Sequence, residues 1–417
     1  MLERMVFSMK KRCGLLGERL AHSYSPQIHA ELSDYEYRLY EKKPEELEAF
    51  LRHGDFDGLN VTIPYKKDVI PYCRSLSEAA HSIGSVNTLT RQSDGSLHGD
   101  NTDYFGFAYL LKKIGVKPEG KVLILGNGGS SLTVQAVLND RNFVVVSRKG
   151  ENNYSNIEKH HDAIMIINTT PVGMYPNNGV SPISDLAAFK NCRAVTDLIY
   201  NPARTELFMQ AEELGIPCIN GLAMLVAQAK KAAELFTGAP IADDVIDTIT
   251  EKIARETRNI VLIGMPGCGK TSIGVKLARI LRREFADSDD LIKKTAGKSI
   301  PAVFEEDGEE VFRKLESETL NELCKQSGLV IATGGGVVTK AANKRTLRQN
   351  GIVVFLDRDI RNLPVSDRPL SKRDGVESLA SVRLPLYADW SDCTVPVIPG
   401  REITQTAEDI ILQLSCG

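Results

Sequence analysis

The stretch that most restricts the fold of this 417-residue chain is GMPGCGKT, at positions 264–271. It follows the apolar run NIVLI, and the segment SIGVKLARIL after it has the apolar spacing of a helix. Glycines let backbone N–H groups turn inward around phosphate oxygens, and a helix that starts there presents its N-terminus to negative charge. The pattern predicts a phosphate-binding loop between the first strand and first helix of a domain, although more than half of the chain precedes it.

The side chains of this loop indicate which phosphate it binds. Lys270 is predicted to reach the β- and γ-phosphates of a nucleotide, and the Thr271 hydroxyl is predicted to ligate Mg²⁺. Asp287, at the end of the next predicted strand, is the second magnesium ligand that we expect. The other predicted ATP contacts are Gly267, Cys268, Gly269 and Ser272. The alternative is a glycine-rich turn that joins a strand to a helix and binds nothing.

The composition is that of a globular chain, with 42% hydrophobic and 25% charged residues. A net charge of −3 gives no general surface for nucleic acid, and no apolar run reaches the roughly 18 residues of a membrane span. The eight cysteines include no C-x-x-C pair, which is typical of free thiols in a reducing compartment. We therefore expect a cytoplasmic protein that acts on small molecules, without a nucleic-acid or membrane partner; its oligomeric state stays open.

Alternating strand and helix patterns predict several α/β units. In residues 1–103 they predict βαβ units and a mostly parallel sheet, which the helical stretch 221–238 completes. The runs KVLILG, FVVVSR, AIMIINTT and AVTDLIY predict a second parallel sheet in residues 104–220. A helical connector over 239–257 leads to the phosphate-loop unit, 258–417.

Beyond the phosphate loop, charged residues and glycines follow in a specific order. FADSDD supplies Asp287 and Asp289, FRKLE supplies Arg313, VIATGGGVV supplies Gly334, Gly335 and Gly336, SDRPLS supplies Arg368, and VRLPLY supplies Arg383. The glycine triplet allows a ligand to approach closely, or it is only a tight turn. Arginines suit a carboxylate because the guanidinium group pairs with it through two hydrogen bonds.

This order of motifs, over residues 258–417, resembles the shikimate kinase family. The resemblance implies that Arg313, Arg383 and the glycine loop hold the carboxylate of shikimate. It also implies that Asp289 accepts from the hydroxyl to be phosphorylated, as a base or only as an orienting group, with Lys270 as a second catalytic residue. Arg368 would close over ATP on a lid, although the stretch that leads to it, from Asp357 onward, is shorter than the family pattern.

A second glycine-rich loop, LILGNGGSS, follows a predicted strand in the first half of the chain. Its pattern is G-x-G-x-x-S, with Ser131 where a dinucleotide fingerprint has its third glycine. The predicted cofactor contacts are Gly126, Asn127, Gly128, Gly129 and Ser130. After the next strand come Arg148 and Lys149, where NAD binders often carry an acid, and cations there favour the 2′-phosphate of NADP. The alternative is a solvated basic turn.

Polar side chains cluster in four short segments upstream of that loop. AHSYSP supplies Ser23 and Ser25, NVTIPYK supplies Asn60, Thr62 and Lys66, GSVNTL supplies Asn87, and GDNTD supplies Asp100, Asn101, Thr102 and Asp103. Each is ordinary alone, because hydroxyls and amides are common in turns and helix caps. Together they suit a polyhydroxy acid, and a lysine with an aspartate at strand ends could form a proton-transfer dyad.

These motifs, over residues 12–238, resemble the shikimate dehydrogenase family, as do NTTPVGM, DLIYNPARTELF and NGLAMLVAQ further on. The resemblance implies that Lys66 and Asp103 are the catalytic pair in hydride transfer between NADPH and the 3-keto group of 3-dehydroshikimate. The other implied contacts are Ser23, Ser25 and Tyr200 for the substrate carboxylate, Asn60, Thr62, Asn87 and Gln228 for its hydroxyls, and Leu198 and Gly221 near the nicotinamide.

One segment departs from that family pattern. GENNYSNIEKHHD, at 150–162, is too short for a crossover helix and a strand, so we expect the cofactor domain to lack an element at one edge. This leaves the choice between NADP and NAD open. The adjacent His160 and His161 are expected to be solvated rather than bound to a metal.

Together the resemblances imply one chain with two consecutive reactions, the reduction of 3-dehydroshikimate by NADPH and the phosphorylation of shikimate by ATP with Mg²⁺. The implied fold is α/β throughout: a substrate-binding domain and a Rossmann-like NADP domain, then a P-loop domain like that of nucleoside monophosphate kinases, with a parallel sheet between helices. Quinate stays open as a side substrate.

Two other interpretations remain. In one, half of the chain has lost catalysis, which the retained Lys66, Asp103, Lys270, Thr271 and Asp289 argue against. In the other, the chain is a ligand-sensing regulator, but its sequence shows neither a zinc cluster nor a basic arm for DNA.

Overall fold

The computed structural model describes residues 10–20, 23–363 and 375–416, and these fall into two compact units. The first contains the described residues up to Val172, with Pro182–Tyr200 and Gln210–Ile253. The second contains Gly173–Ser181, Asn201–Met209 and the described residues from Ala254 onward. The second unit therefore includes two short segments that the sequence assigns to the cofactor-binding domain.

The first unit begins with a six-stranded sheet. Its strands are β1 (Arg12–Gly17), β2 (Glu36–Glu41), β3 (Gly58–Val61), β4 (Cys73–Leu76), β5 (Thr88–Arg91) and β6 (Leu97–Asp100), in the order β2-β1-β3-β5-β6-β4. The helices of this stretch are α1 (Ser25–Leu32), α2 (Leu47–His53), α3 (Glu78–Ile83) and α4 (Asp103–Lys113). β1 pairs in parallel with β2 and β3, as the βαβ pattern predicts.

Strand β5 departs from the predicted parallel arrangement, since both of its neighbours, β3 and β6, run antiparallel to it. The turn between β5 and β6 accounts for the second of these pairings. There the Asp94 side chain accepts a hydrogen bond from the Ser96 backbone, and Gly95 adopts a φ of 84°. An Asp-Gly pair of this kind reverses the chain and closes a hairpin.

The second sheet of this unit is parallel throughout. Its strands are β7 (Val122–Leu125), β8 (Phe143–Val146), β9 (Met165–Asn168), β10 (Ala194–Asp197) and β11 (Cys218–Asn220), in the order β11-β10-β9-β7-β8. The helices that follow in the chain are α5 (Gly129–Leu138), α6 (Glu206–Glu213), α7 (Leu222–Thr237) and α8 (Asp244–Thr257). The predicted strands of this region are therefore confirmed.

The short segment after β8 leaves that strand at the edge of the sheet. A 3-10 turn over Tyr154–His160, rather than a helix and a strand, connects β8 to β9. The prediction of two solvated histidines is wrong for His160, which is only 7% exposed and has Nε2 3.1 Å from Asn152 Oδ1. Burial lowers the pKa of His160, and the His161 ring packs edge-on against Phe189.

Helix α8 is fastened to the first unit by polar contacts. The Tyr109 hydroxyl and the Lys113 ammonium both donate to Asp247 Oδ1, at 2.8 and 2.6 Å. Lys230, which α7 buries, pairs with Glu234 at 2.7 Å and with Asp243, just before α8, at 2.8 Å. The predicted connector is therefore a helix with fixed partners.

The second unit is built on a five-stranded parallel sheet. Its strands are β12 (Asn259–Ile263), β13 (Phe285–Asp287), β14 (Val330–Ala332), β15 (Gly351–Asp357) and β16 (Cys393–Pro396), in the order β13-β14-β12-β15-β16. Its helices are α9 (Lys270–Leu281), α10 (Ser288–Ala296), α11 (Ile300–Glu306), α12 (Gly308–Lys325), α13 (Ala342–Arg348), α14 (Val376–Trp390) and α15 (Ile403–Cys416). All five residues of β12 are buried, as expected for a central strand covered on both faces.

The predicted α/β fold class, with its parallel sheets, is confirmed. The seven cysteines from Cys13 to Cys393 are free thiols. Within the described ranges, no helix combines the length and apolar character needed to cross a bilayer.

His29, on α1, lies in an aromatic core cluster of the first unit. Its ring stacks on Tyr37 with 4.0 Å between centroids, and Nδ1 contacts the Tyr35 hydroxyl. Nε2 is buried and has no hydrogen-bond partner among the described residues. Burial therefore lowers the pKa of His29 from 6.5 to about 3.

We expect the first unit to lose stability as the pH falls below 6.5, because the unfolded chain binds a proton at His29 that the folded chain does not. Between pH 7.5 and pH 5 the His29 contribution to this loss is roughly 2 kcal/mol, and His29→Gln should remove it while leaving that of His160. Urea unfolding at both pH values measures it, with His53→Gln on the exposed side of α2 as control. Equal pH slopes for the wild type and His29→Gln would contradict the prediction.

Candidate active sites

The phosphate loop connects β12 to α9, and its Gly269 has a φ of 106°, which favours glycine. Lys270 is buried, and its ammonium donates to the carbonyls of Gly264 and Met265 at 2.8 and 3.0 Å. The Thr271 hydroxyl donates to Asp287 Oδ2 at 2.7 Å. The predicted nucleotide and magnesium residues of this loop therefore share one end of the sheet.

Two carboxyl groups face each other across the glycine triplet that follows β14. Asp289 Oδ1 and Glu316 Oε1 are both buried without a hydrogen-bond partner in the described part of the chain. Each lies within 2.8 Å of the point where a Cβ on Gly334 would stand. Burial is the main cause that raises the pKa of both groups, and the nearby Asp287 charge raises that of Asp289 further.

The three glycines of the triplet make room for three different neighbours. Gly334 lies under the two carboxyl groups, a Cβ on Gly335 would come within 2.6 Å of Pro266, and a Cβ on Gly336 would come within 2.1 Å of Arg313 Nη1. Arg383 Nη1 donates to the Gly335 carbonyl at 3.1 Å, and the Tyr387 hydroxyl donates to the same oxygen. The triplet is therefore neither a simple turn nor only a ligand-facing surface.

These groups line a single cavity of about 570 Å³. The predicted residues along its wall are Gly267, Gly269, Lys270, Thr271, Ser272, Asp287, Asp289, Arg313, Gly334, Gly335, Gly336 and Arg383. The Cys268 side chain is fully buried and does not line the cavity, so its predicted contact with nucleotide would come from the backbone N–H. Arg368 lies outside the described residues.

In the first unit, Lys66 and Asp103 form an ion pair. Lys66 Nζ lies 2.6 Å from Asp103 Oδ2, and both side chains are only partly exposed. Lys66 comes shortly after β3, and Asp103 begins α4 directly after β6. The structure thus brings the predicted dyad together across a sequence separation that no local pattern reveals.

The predicted carboxylate-binding residues also approach one another. The Ser25 backbone donates to Ser23 Oγ at 3.2 Å, and the Tyr24 ring between them lies 5.6 Å from the Tyr200 ring. Burial, and secondarily Tyr24, raises the pKa of the Tyr200 hydroxyl, which is therefore a neutral hydrogen-bond donor.

The predicted amide residues form a buried polar network. Asn60, Asn87 and Gln228 are each at most 9% exposed, and Thr88 and Thr102 connect them through their hydroxyls. The Thr62 hydroxyl, by contrast, is half-buried and makes no hydrogen bond within the described ranges.

The second glycine-rich loop fits an anionic group. Helix α5 begins at Gly129, and a Cβ on Gly128 or Gly129 would meet no atom within 4 Å, so the N-terminus of this helix is open. Asn127 and Ser130 are exposed beside it, and Arg148 and Lys149 are exposed after β8. Leu198 and Gly221 lie together elsewhere in the unit, since a Cβ on Gly221 would come within 2.0 Å of the Leu198 carbonyl oxygen.

Known proteins match both parts of the chain. The family model for the shikimate dehydrogenase substrate-binding domain matches residues 15–89, and that for shikimate kinase matches residues 266–413. A shikimate dehydrogenase (NADP(+)) from Clostridium perfringens strain SM101 is 34% identical over 268 residues, and the match covers 58% of this chain and 98% of the relative. The chain belongs to the shikimate dehydrogenase family. It also carries a shikimate kinase domain, so both predicted resemblances are confirmed.

Other shikimate dehydrogenases agree with this family assignment. One from Methanococcus maripaludis strain S2 is 35% identical over 263 residues, covering 56% of this chain and 94% of the relative. A solved chorismate mutase/shikimate 5-dehydrogenase fusion protein from Clostridium acetobutylicum has 35% identity and a TM-score of 0.55, over 58% of this chain and 97% of that one. The Thermus thermophilus enzyme, solved with NADP(H) and shikimate, has 29% identity and a TM-score of 0.53, over 58% and 99%.

Sequence reasoning gave no role to several residues of the shikimate kinase cavity, among them Glu316 and Arg358. Glu316 is fully buried and pairs with Arg313 at 2.7 Å. It lies one helical turn after Arg313, so the i, i+3 spacing on α12 was the available signal. Arg358 lines the cavity and donates to the Gly267 carbonyl at 3.4 Å. It directly follows β15, and the carboxyl ends of parallel strands are where ligands bind in such sheets.

We expect Gly336→Ala to impair the kinase reaction while leaving the dehydrogenase reaction unchanged. The added Cβ would displace the Arg313 guanidinium, which is the end of a flexible side chain, so the domain should still fold. Losing one charge-assisted contact should raise the KM for the acceptor roughly 10-fold. Steady-state kinetics of both reactions test this.

The Arg313→Ala background provides the control. If Gly336→Ala acts through Arg313, it should cause no further loss there. An additional loss of similar size in that background would show that the glycine serves another purpose.

Proposed function

We propose that this chain reduces 3-dehydroshikimate to shikimate with NADPH and then phosphorylates the 3-hydroxyl of shikimate with ATP and Mg²⁺. The observation that carries the proposal is the presence of two different acid–base centres in one chain. One is the Lys66–Asp103 ion pair in the unit with the buried amides, and the other is Asp289 in a phosphate-loop cavity. We assign the first reaction to residues 1–238 and the second to 258–417.

In the reduction, the ion pair handles the proton. As the 3-keto oxygen becomes an alkoxide, it needs a proton. The Lys66 ammonium, which donates a hydrogen bond to Asp103 Oδ2 at 2.6 Å, would supply that proton. Ser23, Ser25 and Tyr200 would bind the substrate carboxylate through hydroxyls, and Asn60, Thr62, Asn87 and Gln228 would bind its hydroxyls.

The residues of the second glycine-rich loop fit a dinucleotide. The open N-terminus of α5 would hold the pyrophosphate, and Arg148 with Lys149 would hold a 2′-phosphate. Leu198 and Gly221 would flank the nicotinamide. NADPH supplies the hydride when bound, and the protein orients the ring and the keto carbon.

In the phosphorylation, the cavity of the second unit aligns a hydroxyl with a phosphate. Arg313 and Arg383 would bind the shikimate carboxylate, which fixes the ring so that its 3-hydroxyl donates to the unpartnered Asp289 Oδ1. The raised pKa of Asp289 makes this carboxyl a better proton acceptor than an exposed aspartate. Lys270 would turn from the loop carbonyls to the phosphates.

The loop also fits Mg²⁺. Thr271 and Asp287 present one hydroxyl and one carboxylate 2.7 Å apart, and Mg²⁺ commonly takes one or two protein ligands with substrate phosphates and water. The ion would neutralise phosphate charge when bound.

Two alanine variants should separate the reactions. Purified protein is given shikimate with NADP⁺, or shikimate with ATP and Mg²⁺, and NADPH and ADP are followed. Lys66→Ala should lower the first rate at least 100-fold by removing the proton donor, and Lys270→Ala should do the same to the second by removing phosphate contacts. Each variant should keep the reaction that the other variant loses, and this retained activity shows that the variant protein is folded.

The proposal fails if the wild type leaves shikimate unchanged in both assays. Loss of both reactions in either variant would contradict two separate centres. Oxidation of quinate in place of shikimate would assign the first centre a different substrate.

Arg148 should set the choice of dinucleotide. We expect Arg148→Ala to raise the KM for NADP⁺ roughly 10-fold, the equivalent of one lost charge-assisted hydrogen bond, and to leave the KM for NAD⁺ unchanged. Arg141→Ala, another exposed arginine before β8, is the matched control. Equal changes with both dinucleotides would remove Arg148 from 2′-phosphate recognition.

A further inference from the structure

A continuous chain of hydrogen bonds runs through the amide residues of the first site. The Tyr37 hydroxyl donates to Asn60 Oδ1 at 2.8 Å, and Asn60 Nδ2 donates to Thr88 Oγ1 at 3.4 Å. Thr88 Oγ1 donates to Asn87 Oδ1 at 3.1 Å and lies 3.2 Å from Thr102 Oγ1. Thr88 and Thr102, at 0% and 1% exposure, cannot exchange these partners for water.

The orientation of the Asn87 side-chain amide in this hydrogen-bond network is fixed. The Thr102 backbone N–H lies 2.7 Å from the Asn87 side-chain oxygen. A backbone N–H can only donate, so the Asn87 group facing it must be the oxygen and not the NH₂. Asn87 Nδ2 consequently points away, and it has no protein partner within the described ranges.

Through Thr88, the orientation of the Asn87 amide determines that of the Asn60 amide. The Thr88 hydroxyl donates its single proton to Asn87 Oδ1, so it can only accept from its other two neighbours, Thr102 and Asn60. The Asn60 group that faces Thr88 is therefore the NH₂, and Asn60 Oδ1 faces the Tyr37 hydroxyl. Without Thr88 the Asn60 amide could rotate by half a turn, since the Tyr37 hydroxyl can either donate or accept.

We propose that Thr88 is a positioning residue whose hydroxyl connects the Asn87 amide, which the Thr102 N–H orients, to the Asn60 amide, so that both offer N–H donors to oxygen atoms of the substrate. Thr88 itself does not touch the substrate. The inference rests on the proposed function, in which both amides bind substrate hydroxyls. It also defines the ligand, which must present lone pairs rather than O–H donors toward these two amides.

Thr196 supplies the matched control. It lies on β10 in the same unit and is fully buried, and its hydroxyl has no hydrogen-bond partner in the described part of the chain. Replacing either threonine by valine keeps the shape and removes a buried hydroxyl. Only the Thr88 change removes the connection between two amides.

The test compares Thr88→Val, Thr88→Ser and Thr196→Val in shikimate oxidation. We expect Thr88→Val to raise the KM for shikimate about 5- to 10-fold, as for one lost hydrogen bond, with kcat within about twofold and the KM for NADP⁺ unchanged. Shikimate binding to the NADP-free protein, measured calorimetrically, should weaken by the same factor. Thr88→Ser should restore most of the affinity, and Thr196→Val should match the wild type.

A double variant tests whether Thr88 acts through Asn60. In an Asn60→Ala background, Thr88→Val should cause a clearly smaller loss than alone, because only the Asn87 contact remains to be disturbed. Full additivity would overturn the inference. So would a Thr88→Val variant that behaves like Thr196→Val, or a general loss of kcat and unfolding temperature that Thr88→Ser does not restore.

The inference and the proposed function fail in different ways. If the wild type does not oxidise shikimate, the proposed function fails and the role of Thr88 falls with it. If the wild type is active and Thr88→Val binds shikimate equally well, only the role of Thr88 is overturned.

Discussion

A polar atom that is buried without a hydrogen-bond partner destabilises the folded state, and this constraint determines which groups both sites can offer to a ligand. In the first site the side-chain oxygens of Asn60, Asn87 and Gln228 all accept hydrogen bonds from the protein, so the groups that remain are donors. In the second site the oxygens left over, on Asp289 and Glu316, are acceptors. The first site therefore suits a ligand that accepts hydrogen bonds from the amides, and the second suits one whose hydroxyl donates.

The two sites would also bind one carboxylate in different ways. In the first, Ser23, Ser25 and Tyr200 offer neutral hydroxyls, which can be brought together without a counter-charge. In the second, Arg313 and Arg383 are buried to about 5% exposure, and a buried guanidinium is costly unless it is paired. Glu316 pairs with Arg313, and the Gly335 carbonyl accepts from Arg383. The glycine triplet makes these contacts sterically possible, which explains three consecutive residues without side chains.

Much of the fold and many residues of the candidate sites were predictable from the sequence, because the patterns that indicate them are local. The phosphate loop, the strands of the parallel sheets and the residues of the motifs depend on spacing along a few residues. The strands β4 and β6 were not predicted, since CRSL and LHGD are too short and too polar to show an alternating pattern. His160 was misjudged because its burial depends on Asn152 and the short connection after β8, and not on its own neighbours in sequence.

Long-range contacts were the second limit of prediction. Lys66 and Asp103 were paired through a family resemblance, but nothing in the spacing shows that they meet at 2.6 Å. Thr88 and Thr102 stood in quoted motifs without a role, since a threonine in a strand is ordinary and only the folded chain shows what its hydroxyl touches. Arg358 was missed for the same reason, as its contact with the phosphate loop comes from a distant strand.

The dehydrogenase motifs end near residue 238, but the folded unit continues to Ile253. Asp243 neutralises Lys230, which is buried inside that unit, and Asp247 anchors two side chains of α4. A chain cut where the motifs end would lose both carboxylates and leave a buried ammonium with Glu234 alone. The residues between the dehydrogenase motifs and the kinase domain thus supply carboxylates that pair with charged and polar groups of the dehydrogenase unit. The residue at which the family resemblance ends therefore does not mark the place where this polypeptide can be divided.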